Sequence, residues 1–265
     1  MTETIHTETL EGGLMQAEDA HTESPGGVHI ALAAERVGEV FGIPITNTLI
    51  TSWIVILLLI VIAWAVGRRV SLIPSRVQVL FEEAFSYVHE YMAETLESRA
   101  LATRFFPLLM TLFLFIFTAN ALEFTPGIGS IFVGDHTPLL RSVNTDLNVT
   151  LALAIISFLV IEVTGVVVLG ALKYGGKFLN FSSPIAFAVG IIEFFSEIAR
   201  LISFSFRLFG NIFAGEVLVL VVAFFVPYFL PVPLMMFELF VGFIQAAIFA
   251  LLTLFFIKIA ITEPH

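Results

Sequence analysis

The chain has 265 residues, of which 58% are hydrophobic and only 13% charged, and its mean hydropathy is +1.00. Soluble domains have about 25% charged residues, so this composition excludes an ordinary soluble fold and indicates a polytopic membrane protein. No cysteine is present, which excludes disulfides, thiolate catalysis and cysteine metal sites. Most of the net charge of −10 belongs to residues 1–47, where eight acidic residues accompany one base, Arg36. We predict an acidic, partly disordered external segment over 1–47 and a single transmembrane helical domain over 48–262.

Three apolar runs, residues 49–66, about 105–124 and about 149–172, are long enough to cross a bilayer. Trp53 and Trp64 lie near the ends of the first run, where amphipathic rings favour the membrane interface. Between the first two runs, residues 74–100 combine apolar positions at helical spacing with five glutamates. This pattern predicts an amphipathic helix at the membrane surface, whose acidic character favours a protein partner over anionic lipid.

The last two apolar runs, residues 181–226 and 234–260, are separated by Pro227, Pro231 and Pro233. The first of them is too long for one perpendicular crossing. We therefore predict an all-α polytopic membrane protein. It has about five membrane-crossing helices and one amphipathic surface helix, and the last two helices form a long, tilted hairpin.

Basic residues predict the orientation of these helices. Five arginines fall between the first two spans, and Lys173 and Lys177 follow the third, whereas the alternate loops contain only Arg141. The positive-inside rule then places the N-terminus outside and the C-terminus in the cytoplasm, which five crossings allow. An N-terminus that lies outside and shows no transit peptide favours a bacterial plasma (inner) membrane, and we predict that location.

Arg207 is the main chemical clue, because it lies well inside an apolar helix. An arginine at mid-bilayer costs about 2.5–3.5 kcal/mol on insertion scales, and its guanidinium stays protonated, so it can attract a carboxylate but cannot pass a proton. One interpretation is a structural ion pair with Glu162 or Glu193. The other is a functional role, which the neighbouring residues favour. At about 100° per residue a polar, small-residue stripe runs along one helix face: Glu193, Arg200, Ser203, Arg207, Asn211 and Ala214.

Two glutamates near the proline-rich turn form a second candidate group. Glu216 lies nine residues beyond Arg207, about 180° around the helix, so it must face a different neighbour. Glu238 shares a face of the last helix with Gly242 and Gln245, and a hairpin would bring it toward Glu216. Two nearby carboxylates in a low-dielectric site suit proton conduction, because one tends to keep its proton. Two independent interfacial glutamates are the alternative.

Several motifs together resemble subunit a of F-type ATP synthases. Residues 205–216, SFRLFGNIFAGE, closely resemble the signature of that family. Residues 120–123, NALE, resemble the end of its second span, and residues 146–150, DLNVT, the start of the next. Glu238 with Gln245 is similar to the final helix of the family. The ordered set covers most of residues 45–262.

The resemblance implies a stationary, non-catalytic proton-channel subunit. Two half-channels would deliver protons to and from the carboxylates of a rotating c-ring, which couples ion flow to ATP synthesis. Arg207 would be the essential gate that faces the ring carboxylate. The inner half-channel would contain Asn211, Ser203 and Glu193, and the outer one would contain Glu216, Glu238, Gln245, Asn120 and Glu123.

The resemblance also implies partners. These are the c-ring of small hydrophobic subunits, the peripheral-stalk b subunits, the rest of the complex and the lipid bilayer, with no nucleic acid, cofactor or metal. Protons are the expected coupling ion, although ion choice depends largely on the ring. Some family members have histidine in the outer channel, but this chain has none between His136 and His265. Glu162 matches no family position, and we interpret it as a packed, protonated glutamate, with a channel role as the alternative.

Two other classes of function compete with this interpretation. A self-contained secondary transporter would use intramembrane arginine and glutamate as substrate and proton sites, although no internal repeat supports it. A passive channel would need an open polar lining, which the sequence lacks. We find no Walker-type glycine loop and no nucleophile triad, so nucleotide chemistry is expected in another subunit.

Overall fold

The computed structural model describes residues 34–40, 42–68, 75–125, 132–133, 137–178 and 183–262. Of the acidic segment predicted over 1–47, residues 1–33 and 41 lie outside the described residues, and so does Arg69, one of the five arginines used to predict the orientation. The described residues include two short antiparallel hairpins: β1 (Arg36–Val40) pairs with β2 (Ile43–Thr46), and β3 (Phe132–Val133) pairs with β4 (Thr137–Pro138).

Helices make up the rest of the described fold. Five of them are long and apolar enough to cross a membrane, which confirms the predicted polytopic all-α class. These five are α1 (Asn47–Gly67), α3 (Arg99–Glu123), α4 (Leu147–Leu169), α6 (Pro184–Phe225) and α7 (Pro231–Ile261). The amphipathic α2 (Arg76–Leu96) precedes α3, and the short α5 (Ala171–Phe178) precedes α6.

Short polar side chains begin most of these helices. Thr46, Ser75, Ser98, Asp146 and Ser183 each accept a hydrogen bond from a backbone N–H of the first helical turn. Such caps satisfy backbone donors that have no partner inside the helix. The helix starts are therefore encoded locally, whereas the apolar runs encode the spans.

The predicted boundary between the amphipathic helix and the second span is wrong by several residues. The sequence predicted one helix over residues 74–100, but α2 ends at Leu96 and α3 already begins at Arg99. Glu97 adopts a left-handed conformation with φ of 53°, and Ser98 caps α3. Glu97 also pairs with Lys258 at 2.9 Å, so the α2–α3 turn and the C-terminal end of α7 lie at the same end of the molecule.

The core is built around α3. This helix packs against α1, α2 and α7, and α4 packs against α6 and α7. At the end near Lys258, Leu96 and Phe105 pack with Leu254 and Ile257. Farther along, Leu112 and Ile116 pack with Phe204, Leu208 and Phe249, and the rings of Phe204 and Phe249 are 5.0 Å apart. These contacts hold the predicted α6–α7 hairpin against the rest of the bundle.

The third span ends earlier than predicted, and its final residues form α5. Gly170, with φ of 85°, ends α4 and turns the chain. The ring of Tyr174 then packs against Gly165, where a Cβ would overlap it, and the carbonyl of Phe178 packs equally closely against Gly190. Helix α5 is thus held between α4 and α6 by two contacts that require glycine.

Candidate functional site

Arg207 lies on the exposed side of α6, outside the packed bundle. Its guanidinium donates a hydrogen bond of 3.3 Å to the hydroxyl of Ser203, one turn earlier. Within the described parts of the chain, no carboxylate lies within 4 Å of Arg207. Glu162 and Glu193, the partners that a structural ion pair would have used, contact Tyr174 and Lys177 instead.

A carboxylate-lined cavity of about 210 Å³ lies between α3, α6 and α7. Its polar lining comes from four side chains: Asn120, Glu123, Asn211 and Glu238. We call it the carboxylate cavity. Asn120 donates a hydrogen bond of 3.1 Å to the carbonyl of Gly242 and accepts one of 2.6 Å from the amide nitrogen of Asn144. These two bonds fix the Asn120 amide at the cavity wall.

Asn211 lines the carboxylate cavity together with Glu238. The resemblance implied an inner half-channel of Asn211, Ser203 and Glu193, and neither Ser203 nor Glu193 lines this cavity. Asn211 and Gly215, one turn apart on α6, both contribute to the cavity wall. The amide nitrogen of Asn211 is buried without a protein partner, as is one carboxylate oxygen of Glu238.

The charge of Glu216 acts on the Glu238 carboxylate, in keeping with a hairpin that brings the two acids toward each other. Glu216 does not line the carboxylate cavity, however. Its carboxylate faces Arg141 and Thr145, in the segment before α4. The charge of Arg141 also attracts the carboxylate of Glu123, and the Ser142 hydroxyl donates a hydrogen bond of 2.8 Å to that same carboxylate.

The segment that contains Arg141 is a buried polar plug, which sequence reasoning missed. Residues 141–146, RSVNTD, are all buried. Asp146 accepts a hydrogen bond of 2.8 Å from the Thr48 hydroxyl, and the backbone N–H of Arg141 donates one of 3.2 Å to the Thr51 hydroxyl. Both bonds anchor the plug on α1. A polar run directly before an apolar span was the available signal, but Arg141 had been used only to predict orientation.

A second polar group, the Lys177 cluster, joins α5 to the first half of α6. Lys177 contacts Glu193 at 2.7 Å and Glu197 at 3.0 Å, and Arg200 contacts Glu197 at 2.8 Å. Glu197 is buried. Burial disfavours the charged ammonium, but the bonds to both carboxylates prevail and raise the pKa of Lys177. Of this cluster, the sequence had predicted only Glu193 as a site residue.

Glu162 lies beside the Lys177 cluster. The Tyr174 hydroxyl donates a hydrogen bond of 3.0 Å to one carboxylate oxygen of Glu162, and the other carboxylate oxygen is buried without a protein partner. Burial and the neighbouring Glu162 carboxylate raise the pKa of the Tyr174 hydroxyl, so Tyr174 remains a donor at neutral pH. This contact agrees with a packed role for Glu162.

Gln245 is half-buried on α7, between the buried residues Gly242 and Phe249. The structure groups eight of the nine predicted residues into three places: the carboxylate cavity with Glu216 beside it, the exposed Arg207–Ser203 pair, and the Lys177 cluster, which contains Glu193. Gln245 belongs to none of the three. Within the described residues, no group of three or more acidic or histidine side chains is arranged to bind a metal ion.

A family model described as ATP synthase A chain matches residues 49–258. The chain belongs to this family. Among its relatives, subunit a of ATP synthase from Moorella thermoacetica is 31% identical over 81% of this chain and 90% of the relative. Subunit a from Mycobacterium ulcerans is 35% identical over 83% of this chain and 89% of the relative. A Propionigenium modestum relative, named a sodium ion specific subunit a, is 29% identical over 91% of this chain and 83% of the relative. Family membership identifies a membrane-sector subunit of ATP synthase.

Proposed function

We propose that this chain is the stationary proton-channel subunit of the membrane sector, and that Arg207 faces the carboxylates of a rotating c-ring. The observation that carries the proposal is the exposure of Arg207. A cation inside a membrane-spanning helix requires an anionic partner or water. Because no carboxylate of the described chain lies within 4 Å, the partner is expected on another subunit.

The outer half-channel of this proposal is the carboxylate cavity together with Glu216. Protons from outside would pass Glu216, Glu238 and Glu123, with Asn120 in the cavity wall and Gln245 farther along α7. Asn211 lines the cavity and is four residues, about 6 Å of helix, beyond Arg207. In this proposal the cavity delivers protons to the ring carboxylate close to Arg207, on the side of α6 that would face the ring.

The inner half-channel would begin at Ser203, and protons would leave through it toward the cytoplasm past Glu193. Glu193 precedes Arg207 by 14 residues, about 21 Å along α6. Two polar groups thus lie on opposite sides of Arg207. A ring carboxylate that gains a proton on one side can enter lipid, because a neutral acid is far cheaper to desolvate than an anion. After it has lost the proton on the other side, its charge is held by Arg207.

Orientation and location complete the proposal. The N-terminus would lie outside a bacterial plasma membrane and the C-terminus in the cytoplasm, with the b subunits and the ring as neighbours. The chain would catalyse no covalent reaction by itself. A secondary transporter remains the competing function, and it predicts ion transport by the purified chain alone, whereas our proposal predicts transport only with the ring.

Cross-linking tests whether the Arg207 face meets the ring. A Ser203→Cys variant of the assembled complex should cross-link to a cysteine placed beside the ring carboxylate, because Ser203 shares the exposed face of Arg207. Trp64→Cys is the matched control, because Trp64 is also exposed but lies on α1. Cross-linking at position 64 and none at position 203 would contradict the proposed interface.

A further inference from the structure

Lys177 is placed where a cation can hold two carboxylates of α6 at once. Glu193 and Glu197 are four residues apart, hence neighbours on one helix face, and ionised carboxylates at that spacing repel each other. The ammonium of Lys177 contacts both, at 2.7 and 3.0 Å. Arg200 adds a second cation, but its contact is with Glu197.

The position of Lys177 is fixed by the packing of α5. Tyr174 packs against Gly165 on one side, and the Phe178 carbonyl packs against Gly190 on the other. Lys177 itself is largely buried, with 16% of its side chain exposed. A lysine that is held this way has few rotamers left, so its ammonium is a preorganised charge and not a mobile surface cation.

We propose that Lys177 is a positioning residue of the proton path, holding the Glu193 carboxylate at the mouth of the inner half-channel. This inference rests on the proposed function, because it takes Glu193 as a proton-conducting group. Lys177 does not carry the proton. It orients Glu193 and offsets the repulsion from Glu197, so that the carboxylate is presented at one place on the α6 stripe.

The test compares five variants of the assembled complex in reconstituted vesicles, with ATP-driven proton pumping measured per complex. Lys177→Met removes the charge at similar length and should reduce pumping about tenfold, within the range of coupling between contacting charged residues. Lys177→Arg keeps a cation and should retain most activity. Lys173→Met removes the same charge from an exposed position of α5 and should pump like the wild type.

A charge-swapped variant separates positioning from a purely structural clamp. Lys177→Glu combined with Glu193→Lys restores an ion pair between α5 and α6 but removes the carboxylate from position 193. We expect this variant to assemble and to pump as poorly as Lys177→Met. Pumping at the wild-type rate in the swapped variant, or in Lys177→Met, would overturn the inference.

Two controls keep the result interpretable. If Lys177→Met fails to assemble, the swapped variant still tests the inference, because it retains an ion pair at this position and wild-type pumping by it would overturn the inference. Arg207→Ala is measured in the same preparation. Normal pumping by Arg207→Ala would refute the proposed function, whereas an inactive Arg207→Ala beside a normal Lys177→Met would refute only the role of Lys177.

Discussion

The carboxylate of Glu238 lies against Gly215, in the space that a side chain at position 215 would occupy. This contact joins α6 to α7 at the wall of the carboxylate cavity, which both residues line. Helices in membranes approach closely where small residues meet, and at Gly215 the close approach of α7 to α6 leaves room for the Glu238 carboxylate. The sequence run AGE, residues 214–216, therefore carries a packing requirement as well as a charged residue.

Gly215→Ala should displace the Glu238 carboxylate without unfolding the hairpin. The atom that the new methyl would meet is the end of a flexible side chain, which can rotate away at a cost of about 1–3 kcal/mol for overpacking. We expect normal assembly but a several-fold loss of ATP synthesis driven by a proton gradient. The measurement is the synthesis rate in membrane vesicles, normalised to assembled complex.

Gly175→Ala is the matched control, because a Cβ at that position meets no atom within 4 Å. It should behave like the wild type in the same vesicles. Equal synthesis rates for both alanine variants would show that the position of the Glu238 carboxylate is unimportant for proton delivery.

Glu216 and Glu238 should act together in proton delivery. The charge of Glu216 acts on Glu238, which lines the cavity, whereas the carboxylate of Glu216 itself faces Arg141. The double variant Glu216→Ala with Glu238→Ala should lower proton-driven synthesis more than either single change, or as much as the worse one if they form a unit. Assembly should survive, and its level is measured alongside. Wild-type synthesis by an assembled double variant would exclude this cavity as the outer path.

Thiol labelling tests the orientation, since the chain has no native cysteine. Tyr228, in the turn between α6 and α7, is 93% exposed and should react as Tyr228→Cys from outside. Lys173 on α5 is exposed and charged, and Lys173→Cys should react only from inside. Labelling of positions 228 and 173 from the same side would rule out the topology.

The sequence predicted the spans well because bilayer thickness imposes a length on apolar runs. All five crossing helices were expected, and so was the approach of Glu216 to Glu238, since a proline-rich turn between two long helices leaves few alternatives. The errors fall at helix ends. The separation of α2 from α3 depends on a single left-handed residue, Glu97, which no periodicity reveals.

The site was only partly readable from the sequence because its neighbours are distant in the chain. Arg207 stands out by the cost of burying it in an apolar helix, whereas Arg141 looks like an ordinary loop base until the plug is seen between α1 and α4. The same holds for Lys177, whose partners Glu193 and Glu197 lie across a turn. Helical spacing put Asn211 on the Arg207 stripe but could not show that it lines the cavity.

Proton pumping by an Arg207→Ala complex tests the central claim most directly. The variant should assemble, because in the described structure Arg207 makes its only side-chain hydrogen bond to Ser203, on the exposed face of α6. Without its charge, nothing would hold the ring anion or separate the half-channels. Arg207→Lys should rescue poorly, since lysine lacks the planar guanidinium and can lose its proton when desolvated.

The measurement is ATP-driven proton pumping per assembled complex in reconstituted vesicles, together with passive proton leak through the membrane sector. Our account predicts no pumping by Arg207→Ala at normal assembly, with a leak above that of the wild type. A structural role for Arg207 would instead make activity fall in proportion to assembled protein. Pumping by the alanine complex at near wild-type rates would contradict the account.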